Sequence, residues 1–194
     1  MGRLLYNKRK NEEDMAKVEI SILLWIQENL RCAFTDWLFP AITFLGDKGL
    51  IWIAAAVALL FFKQYRKWGV LLLAALLITT LVGEVALKNL IERPRPCTLF
   101  PDMELLISRP DSYSFPSGHS ASSFAAAVVL LKCRKAFGIP AILLAALIAF
   151  SRLFLFVHYP TDVLAGATLG AILGLLVCWA GEKWWFPKTK QTAH

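Results

Sequence analysis

Charge is scarce in this chain. Only 18% of its 194 residues are Asp, Glu, Lys or Arg, whereas 57% are hydrophobic and the mean hydropathy is +0.55. A typical soluble domain carries about 25% charged and about 45 to 50% apolar residues. One globular core cannot bury this much apolar surface. The composition excludes a disordered chain and an ordinary soluble domain, and it predicts an integral membrane protein.

Cysteine is also sparse. Four cysteines in 194 residues are too few for a disulfide-stapled secreted domain. We expect no disulfide between Cys32 and Cys97, and we interpret Cys133 and Cys178 as apolar packing residues. The net charge of +7 is interpreted as a topology signal, because Lys and Arg collect at cytoplasmic membrane ends, so no nucleic-acid partner is expected.

Five apolar runs are long enough to predict helices that cross about 30 Å of hydrocarbon. The chain is predicted to be a single all-α domain, 1–194, with an N-terminal interfacial segment at 1–48, a transmembrane bundle at 49–181 and a cytoplasmic tail at 182–194. The predicted spans are 49–63, 68–88, 118–136, 138–157 and 162–181.

Basic clusters follow the first, third and fifth predicted spans and therefore fall on one side of the membrane. They predict a cytoplasmic side for that face and an extracytoplasmic side for the loop at 91–117 and the turn at 158–162. The clusters are Lys63, Arg66 and Lys67; Lys132, Arg134 and Lys135; and Lys183, Lys188 and Lys190.

Residues 19–31 alternate apolar and polar side chains at helical spacing, which predicts an amphipathic helix lying in the membrane interface. Crossing the membrane would bury Glu28, Arg31 and Asp36 at about 2.5 to 3.5 kcal/mol each, so we favour the interfacial alternative. The side on which the N-terminus lies stays open, because Arg3 and Lys8 favour the cytoplasm. A homodimer is possible, but Gly166, Gly170 and Gly174 are better explained by packing within one chain.

The first polar cluster is Lys88, six residues, then Arg95-Pro96. Prolines force extended backbone on the arginines before them. Arg95 offers a planar fork suited to phosphate, and Arg93 competes for that role. Glu84 lies one helical turn before Lys88, where it either holds the ammonium or bonds a neighbouring helix.

Two further clusters complete the set. In Pro116-Ser117-Gly118-His119, Ser117 is a good N-cap, and the free backbone N–H groups of the first helical turn favour an anion. In the segment 151–162, Arg152 and His158 lie within reach of one phosphate. The turn at Pro160 folds Asp162 back toward the imidazole of His158.

These three segments, 88–96, 116–119 and 151–162, resemble the signature of the type-2 phosphatidic acid phosphatase family. The resemblance implies that His158 is the nucleophile, that Asp162 orients it and that His119 protonates the leaving group. It also implies a helical bundle and a phosphoryl site formed by Lys88, Arg95, Ser117, Gly118 and Arg152. With five predicted spans, the chain is expected to depart from six-span members by lacking one N-terminal helix.

The expected function is a multi-pass cell-membrane enzyme that removes phosphate from a lipid phosphate or diphosphate through a phosphohistidine, with its site facing the extracytoplasmic side. Undecaprenyl diphosphate is the favoured substrate; phosphatidylglycerol phosphate, diacylglycerol diphosphate and phosphatidate also fit. No metal or other cofactor is expected, since cations occupy the place of metal ions. A lipid phosphotransferase and a non-catalytic lipid-binding or transport bundle are the alternatives.

Overall fold

A computed structural model describes residues 2–185, with side chains from Asp14 onward. The described residues form helices, turns and loops without a β-strand, which confirms the all-helical prediction. The basic residues Lys188 and Lys190 lie outside the described residues, as do the side chains of Arg3 and Lys8. The α-helices are α1 (Gly2–Leu30), α2 (Ala33–Gly46), α3 (Leu50–Phe61), α4 (Arg66–Thr80), α5 (Lys88–Ile91), α6 (Pro96–Leu99), α7 (Gly118–Cys133), α8 (Lys135–Phe154) and α9 (Pro160–Ala180).

Four stretches are long and apolar enough to cross a membrane, and together they confirm a membrane bundle. They are Ala33–Phe61, Arg66–Leu99, Lys135–Phe154 and Pro160–Trp185. The remaining predicted span corresponds to α7, whose 16 residues extend for about 24 Å. A π-helical segment, Leu81–Leu87, joins α4 to α5.

The first of these apolar stretches starts at Ala33, whereas the predicted first span starts at residue 49. Helices α2 and α3 follow each other through a kink at Asp47–Gly49, where Lys48 and Gly49 have φ angles of 50° and 70°. Asp36 does not enter the bundle as an isolated charge, because Arg31 pairs with it at 3.1 Å and both side chains stay partly exposed. This first stretch includes 33–48, the second part of the predicted interfacial segment 1–48.

Helix α7 lies at the centre of the bundle and is packed against α9 by small residues. A Cβ atom on Gly170 would lie 2.0 Å from the carbonyl oxygen of Ala121, and one on Gly166 would lie 2.4 Å from that of Ser117. Such distances exclude any larger side chain at these positions. The glycine stripe thus packs within the chain, which confirms the sequence interpretation.

Helix α1 packs across the end of the bundle at which α8 ends and α9 begins. Its buried face contains Leu23 and Ile26, which belong to an apolar cluster with residues 154–157 and Tyr159. The Gln27 side-chain amide donates to the Phe154 carbonyl at 2.7 Å. These contacts tie the N-terminal helix to the turn that carries His158.

Candidate active site

A cavity of about 830 Å³ opens at this end of the bundle. Its charged and hydrogen-bonding lining residues come from the kink after α2, from the π-helical segment, from α5, α7 and α8, and from two loops. They include Asp47, Lys48, Glu84, Lys88, Arg95, Ser112, His119, Arg152 and His158. Its apolar lining comes from α3 and α4 as Ile53, Leu73, Leu76 and Leu77. The cavity therefore has a cationic end and an apolar extension.

His158 reaches this cavity from a tight turn between α8 and α9. Phe156, two residues before it, has a φ angle of 59°, which is unusual for a bulky side chain. Its ring is fully buried and packs edge-on against Phe100 at 5.7 Å between ring centroids. Pro160 then begins α9 at a position where its missing N–H is not needed. Buried packing around Phe156 holds the turn that points His158 into the cavity.

The two ring nitrogens of His158 have different partners. Nδ1 lies 3.6 Å from Asp162 Oδ2, and Nε2 lies 3.0 Å from Arg95 Nη1. Asp162 Oδ2 also accepts hydrogen bonds from Ser114 Oγ at 2.5 Å and from the Tyr159 N–H at 2.9 Å. Burial lowers the pKa of His158 below its ordinary value, which favours the neutral ring. A carboxylate on the Nδ1 side favours the proton there and leaves the Nε2 lone pair on the cavity side.

Lys88 and Arg95 approach the cavity with their charged groups already fixed by the protein. Lys88 Nζ donates to the two carboxylate oxygens of Glu84 at 2.8 and 2.7 Å. Arg95 donates to the backbone oxygens of Ser112, at 2.6 Å, and Val157, at 2.8 Å. The structure thus favours the interpretation in which Glu84 holds the lysine ammonium.

Arg152 is the most sparsely satisfied of the three cations. Its side chain is buried with a relative exposure of 3%, and Nη1 donates to Thr43 Oγ1 at 2.5 Å. Its Nε atom is buried and has no hydrogen-bond partner among the described residues. Because a guanidinium binds oxyanions through several N–H groups, Arg152 retains donors for a phosphoryl group in the cavity.

Arg93, the competitor of Arg95, does not line the cavity. It donates to Asp162 Oδ1 at 2.6 Å, to Thr161 Oγ1 at 2.8 Å and to Glu19 Oε2 at 2.5 Å. The structure therefore separates the two arginines that the sequence left as alternatives. Arg95 faces the site, and Arg93 supports the carboxylate behind it.

The segment before α7 divides into a supporting and a cavity-lining part. Ser117 is fully buried, its hydroxyl accepts from the Ser120 N–H at 3.3 Å, and it does not line the cavity. Its backbone N–H instead donates to the Asp162 carbonyl at 3.0 Å. Gly118 does line the cavity, and a Cβ atom there would lie 1.9 Å from Glu84 Oε1. Glycine at this position lets Glu84 approach α7.

His119 has a carboxylate partner that the sequence analysis missed. Its Nε2 atom lies 2.8 Å from Asp47 Oδ1, at the kink between α2 and α3.

The sequence analysis also missed Ser112, Ser114 and Glu19. Glu19 could have been found from its position on the apolar face of an amphipathic helix, four residues before Leu23. Ser112 and Ser114 lie on a loop outside the motifs, and no sequence signal marks them. Asp47 was marked only by its place beside two helix-breaking glycines, Gly46 and Gly49.

Metal ligands and cysteines are the other candidate features of the site. Within the part of the chain that the structure describes, no group of three or more His, Cys, Asp or Glu side chains is placed to hold a metal ion. All four cysteines are among the described residues and are free; Cys97 is buried and Cys32 is exposed. The residues that converge are therefore two histidines, each beside a carboxylate, and three cations.

This fold and site define a polytopic membrane protein with a buried histidine and cation pocket suited to a phosphoryl group. Residues 68–186 match the profile of the PAP2 superfamily. The match covers more than half of the chain, and the chain belongs to that superfamily.

Relatives share both the sequence and the fold. An undecaprenyl-diphosphatase of Sulfolobus acidocaldarius is 37% identical over 127 residues, which cover 65% of this chain and 61% of the relative. A phosphatidylglycerolphosphate phosphatase from Bacillus subtilis has a crystal structure that matches with a TM-score of 0.74 at 30% identity, covering 88% of each chain. The structure of Aquifex aeolicus LpxE matches with a TM-score of 0.73 at 29% identity, covering 84% of this chain and 95% of that one.

Proposed function

We propose that this protein is a membrane lipid phosphatase that hydrolyses a lipid phosphate or diphosphate through a phosphohistidine on His158. The observation that carries the proposal is the placement of His158 Nε2. This atom faces a cavity lined by Lys88, Arg95 and Arg152, and the same cavity continues into an apolar groove. Family membership and the phosphatase names of the relatives support the same activity.

The reaction proceeds in two displacements. In the first, the Nε2 lone pair of His158 forms a bond to phosphorus as the bond from phosphorus to the leaving oxygen breaks, and His119 gives that oxygen a proton. In the second, a water molecule gives a proton to His119 and attacks phosphorus, and the bond to Nε2 breaks to release inorganic phosphate. Both histidines return to their starting states.

The three cations stabilise the charge that spreads over the phosphoryl oxygens during each displacement. Arg95 Nη1, which contacts His158 Nε2 at 3.0 Å, would donate to a phosphoryl oxygen at the moment when Nε2 attacks. The backbone N–H groups of Gly118 and His119 lie at the N-terminus of α7, where free N–H groups can donate hydrogen bonds to a phosphoryl oxygen. Ser117 was predicted to bind phosphate, but it does not line the cavity, because its hydroxyl is engaged with Ser120 and its backbone N–H donates to Asp162.

The apolar extension of the cavity supports a substrate with a lipid tail. Leu73 precedes Lys88 by fifteen residues, or about 20 Å of helix, so the groove extends along α4 away from the cations. Ile53 and Leu77, which line the groove, are 40% and 62% exposed, so the apolar end of the groove is open. A tail can therefore lie between α3 and α4 while its phosphate reaches His158.

Lys48 favours a diphosphate over a monoester. It lines the cavity directly after Asp47, the partner of His119, and so it lies on the side where the leaving group departs. The leaving group of a diphosphate is a lipid monophosphate, which brings negative charge to that side of the cavity. The leaving group of an alkyl monoester is an alcohol, which brings no such charge. Undecaprenyl diphosphate or a similar polyprenyl diphosphate is the favoured substrate, with phosphatidylglycerol phosphate, diacylglycerol diphosphate and phosphatidate as the other candidates.

Phosphate release from a panel of lipids tests this function. Purified protein in detergent should release inorganic phosphate from a polyprenyl diphosphate faster than from phosphatidylglycerol phosphate or phosphatidate. The rate should persist in EDTA, because the proposed site holds its charge on side chains. Lys48→Met should raise KM for the diphosphate and leave KM for phosphatidate unchanged.

The same panel separates the alternatives. Transfer of phosphate to an added lipid alcohol in place of release would identify a phosphotransferase. Binding without turnover of any lipid in the panel would contradict the phosphatase proposal and favour a lipid-binding or transport bundle. Loss of activity in EDTA with restoration by magnesium would contradict the metal-free mechanism.

We also propose that the site faces the extracytoplasmic side, because the basic clusters after the first and third predicted spans lie at the opposite end of the bundle. In a cysteine-free variant, Asp102→Cys should react with an impermeant thiol reagent in intact cells. Gln64→Cys, which is similarly exposed at the other end, should react only after permeabilisation. The reverse labelling pattern would place the site on the cytoplasmic side.

A further inference from the structure

Helix α1 contributes a buried carboxylate to the support of the site. Glu19 has a relative exposure of 3%, whereas the other charged side chains that the structure describes on α1, those of Asp14, Lys17 and Glu28, are exposed. Its Oε1 atom accepts from the Thr161 N–H at 3.0 Å and from Thr161 Oγ1 at 2.5 Å. Its Oε2 atom accepts from Arg93 Nη2 at 2.5 Å. A carboxylate buried this fully in a membrane protein requires such partners.

Arg93 connects this carboxylate to the partner of the nucleophile. Its Nη1 atom donates to Asp162 Oδ1 at 2.6 Å, while Asp162 Oδ2 faces His158. The guanidinium also lies over the ring of Tyr159 at 3.9 Å from its centroid, which fixes its plane. The chain of contacts therefore runs from Glu19 through Arg93 to Asp162 and ends at the ring of His158.

We propose that Glu19 and Arg93 are positioning residues that aim an ionised Asp162 at His158; the proposal rests on the phosphohistidine mechanism given above. Arg93 fixes one oxygen of Asp162 and so orients the other toward Nδ1. Glu19 shares the charge of Arg93, so that Arg93 orients Asp162 without fully neutralising it. The charge of Asp162 then remains available to stabilise the positive ring of His158 once its Nε2 carries phosphate.

This assignment distinguishes the two residues from the groups that contact substrate. Neither Glu19 nor Arg93 lines the cavity. They should therefore affect the rate of the chemical steps and leave substrate binding unchanged. Their effect should also be independent of the leaving group, since they act on the nucleophile.

The test compares four variants of the full-length protein as monodisperse material from size-exclusion chromatography. Glu19→Gln and Arg93→Gln should lower kcat by about 10- to 100-fold, with KM within about twofold of wild type. The double variant should lose no more than Arg93→Gln alone, because both residues act through one path. Glu28→Gln, on the exposed face of the same helix, should match wild type.

Several outcomes would overturn the proposal. If Glu19→Gln had the same kcat as Glu28→Gln, Glu19 would play no part in positioning Asp162. If KM rose while kcat stayed unchanged, the replaced residue would contact substrate. Additive losses in the double variant would contradict a shared path. If Glu19→Gln is not recovered as monodisperse protein, Arg93→Lys gives the same test, because one ammonium cannot hold Glu19, Thr161 and Asp162 together, and its kcat should fall at constant KM. An inactive wild type would instead contradict the proposed function.

Discussion

Replacing His158 with alanine is expected to remove turnover of every substrate, with kcat falling by roughly 10⁴-fold or more. The cations and the cavity would remain, so the variant should still bind the lipid. His158 is 1% exposed and contacts Arg95 through the nitrogen that faces the cavity. No other described histidine lies beside Asp162, so no neighbour can take over the attack.

The measurement has two parts. Steady-state phosphate release gives kcat, and rapid quenching with radiolabelled substrate gives the amount of protein-bound phosphate, which should be stable in alkali and labile in acid if it is on histidine. Wild type should show this label and His158→Ala should not. Thermal unfolding of the variant serves as the control for folding. A label that persists in His158→Ala would identify a different nucleophile.

Replacing His119 with alanine should have an effect that depends on the leaving group. General acid catalysis contributes about 10² to 10⁴ in rate. An alkyl oxygen needs a proton to depart, so this full loss is expected for a lipid monoester such as phosphatidate. An aryl phosphate leaves as a stable anion and should lose much less. Asp47 Oδ1, at 2.8 Å from His119 Nε2, is placed to orient the imidazole that donates this proton.

The comparison uses one variant and two substrates in the same detergent. The ratio of kcat for the aryl phosphate to kcat for the lipid monoester should rise strongly in His119→Ala and stay near the wild-type ratio in Glu19→Gln. This contrast separates protonation of the leaving group from positioning of the nucleophile. Equal losses on both substrates would contradict the acid role of His119.

Much of the fold was predictable because apolar length and loop charge are local properties of the chain. Helices α8 and α9 begin within three residues of the predicted spans. The start of the first span was not predictable in this way, since the charge of Asp36 is compensated by Arg31 through a contact that depends on the turn after α1.

The candidate site shows the same division. The spacing from Lys88 to Arg95 and from Arg152 to His158 predicted which groups converge, because helix geometry fixes where they lie along the bundle. The choice between Arg93 and Arg95 was not encoded locally, since both precede a proline. It is settled by Glu19, which lies far away in sequence and attracts Arg93 to the outside of the pocket.

The apolar groove is lined by exposed side chains of α3 and α4, and entry of a lipid tail there from the bilayer would change what substrate concentration means for the proposed enzyme. A tail that enters between Ile53 and Leu77 arrives by diffusion within one leaflet, so its encounter rate follows its mole fraction among the surrounding lipids and not its amount per volume of buffer. Diluting it with inert lipid or detergent should slow turnover even when the bulk concentration is constant. The dephosphorylated lipid leaves by the same opening, remains in that leaflet and competes there with the next substrate molecule.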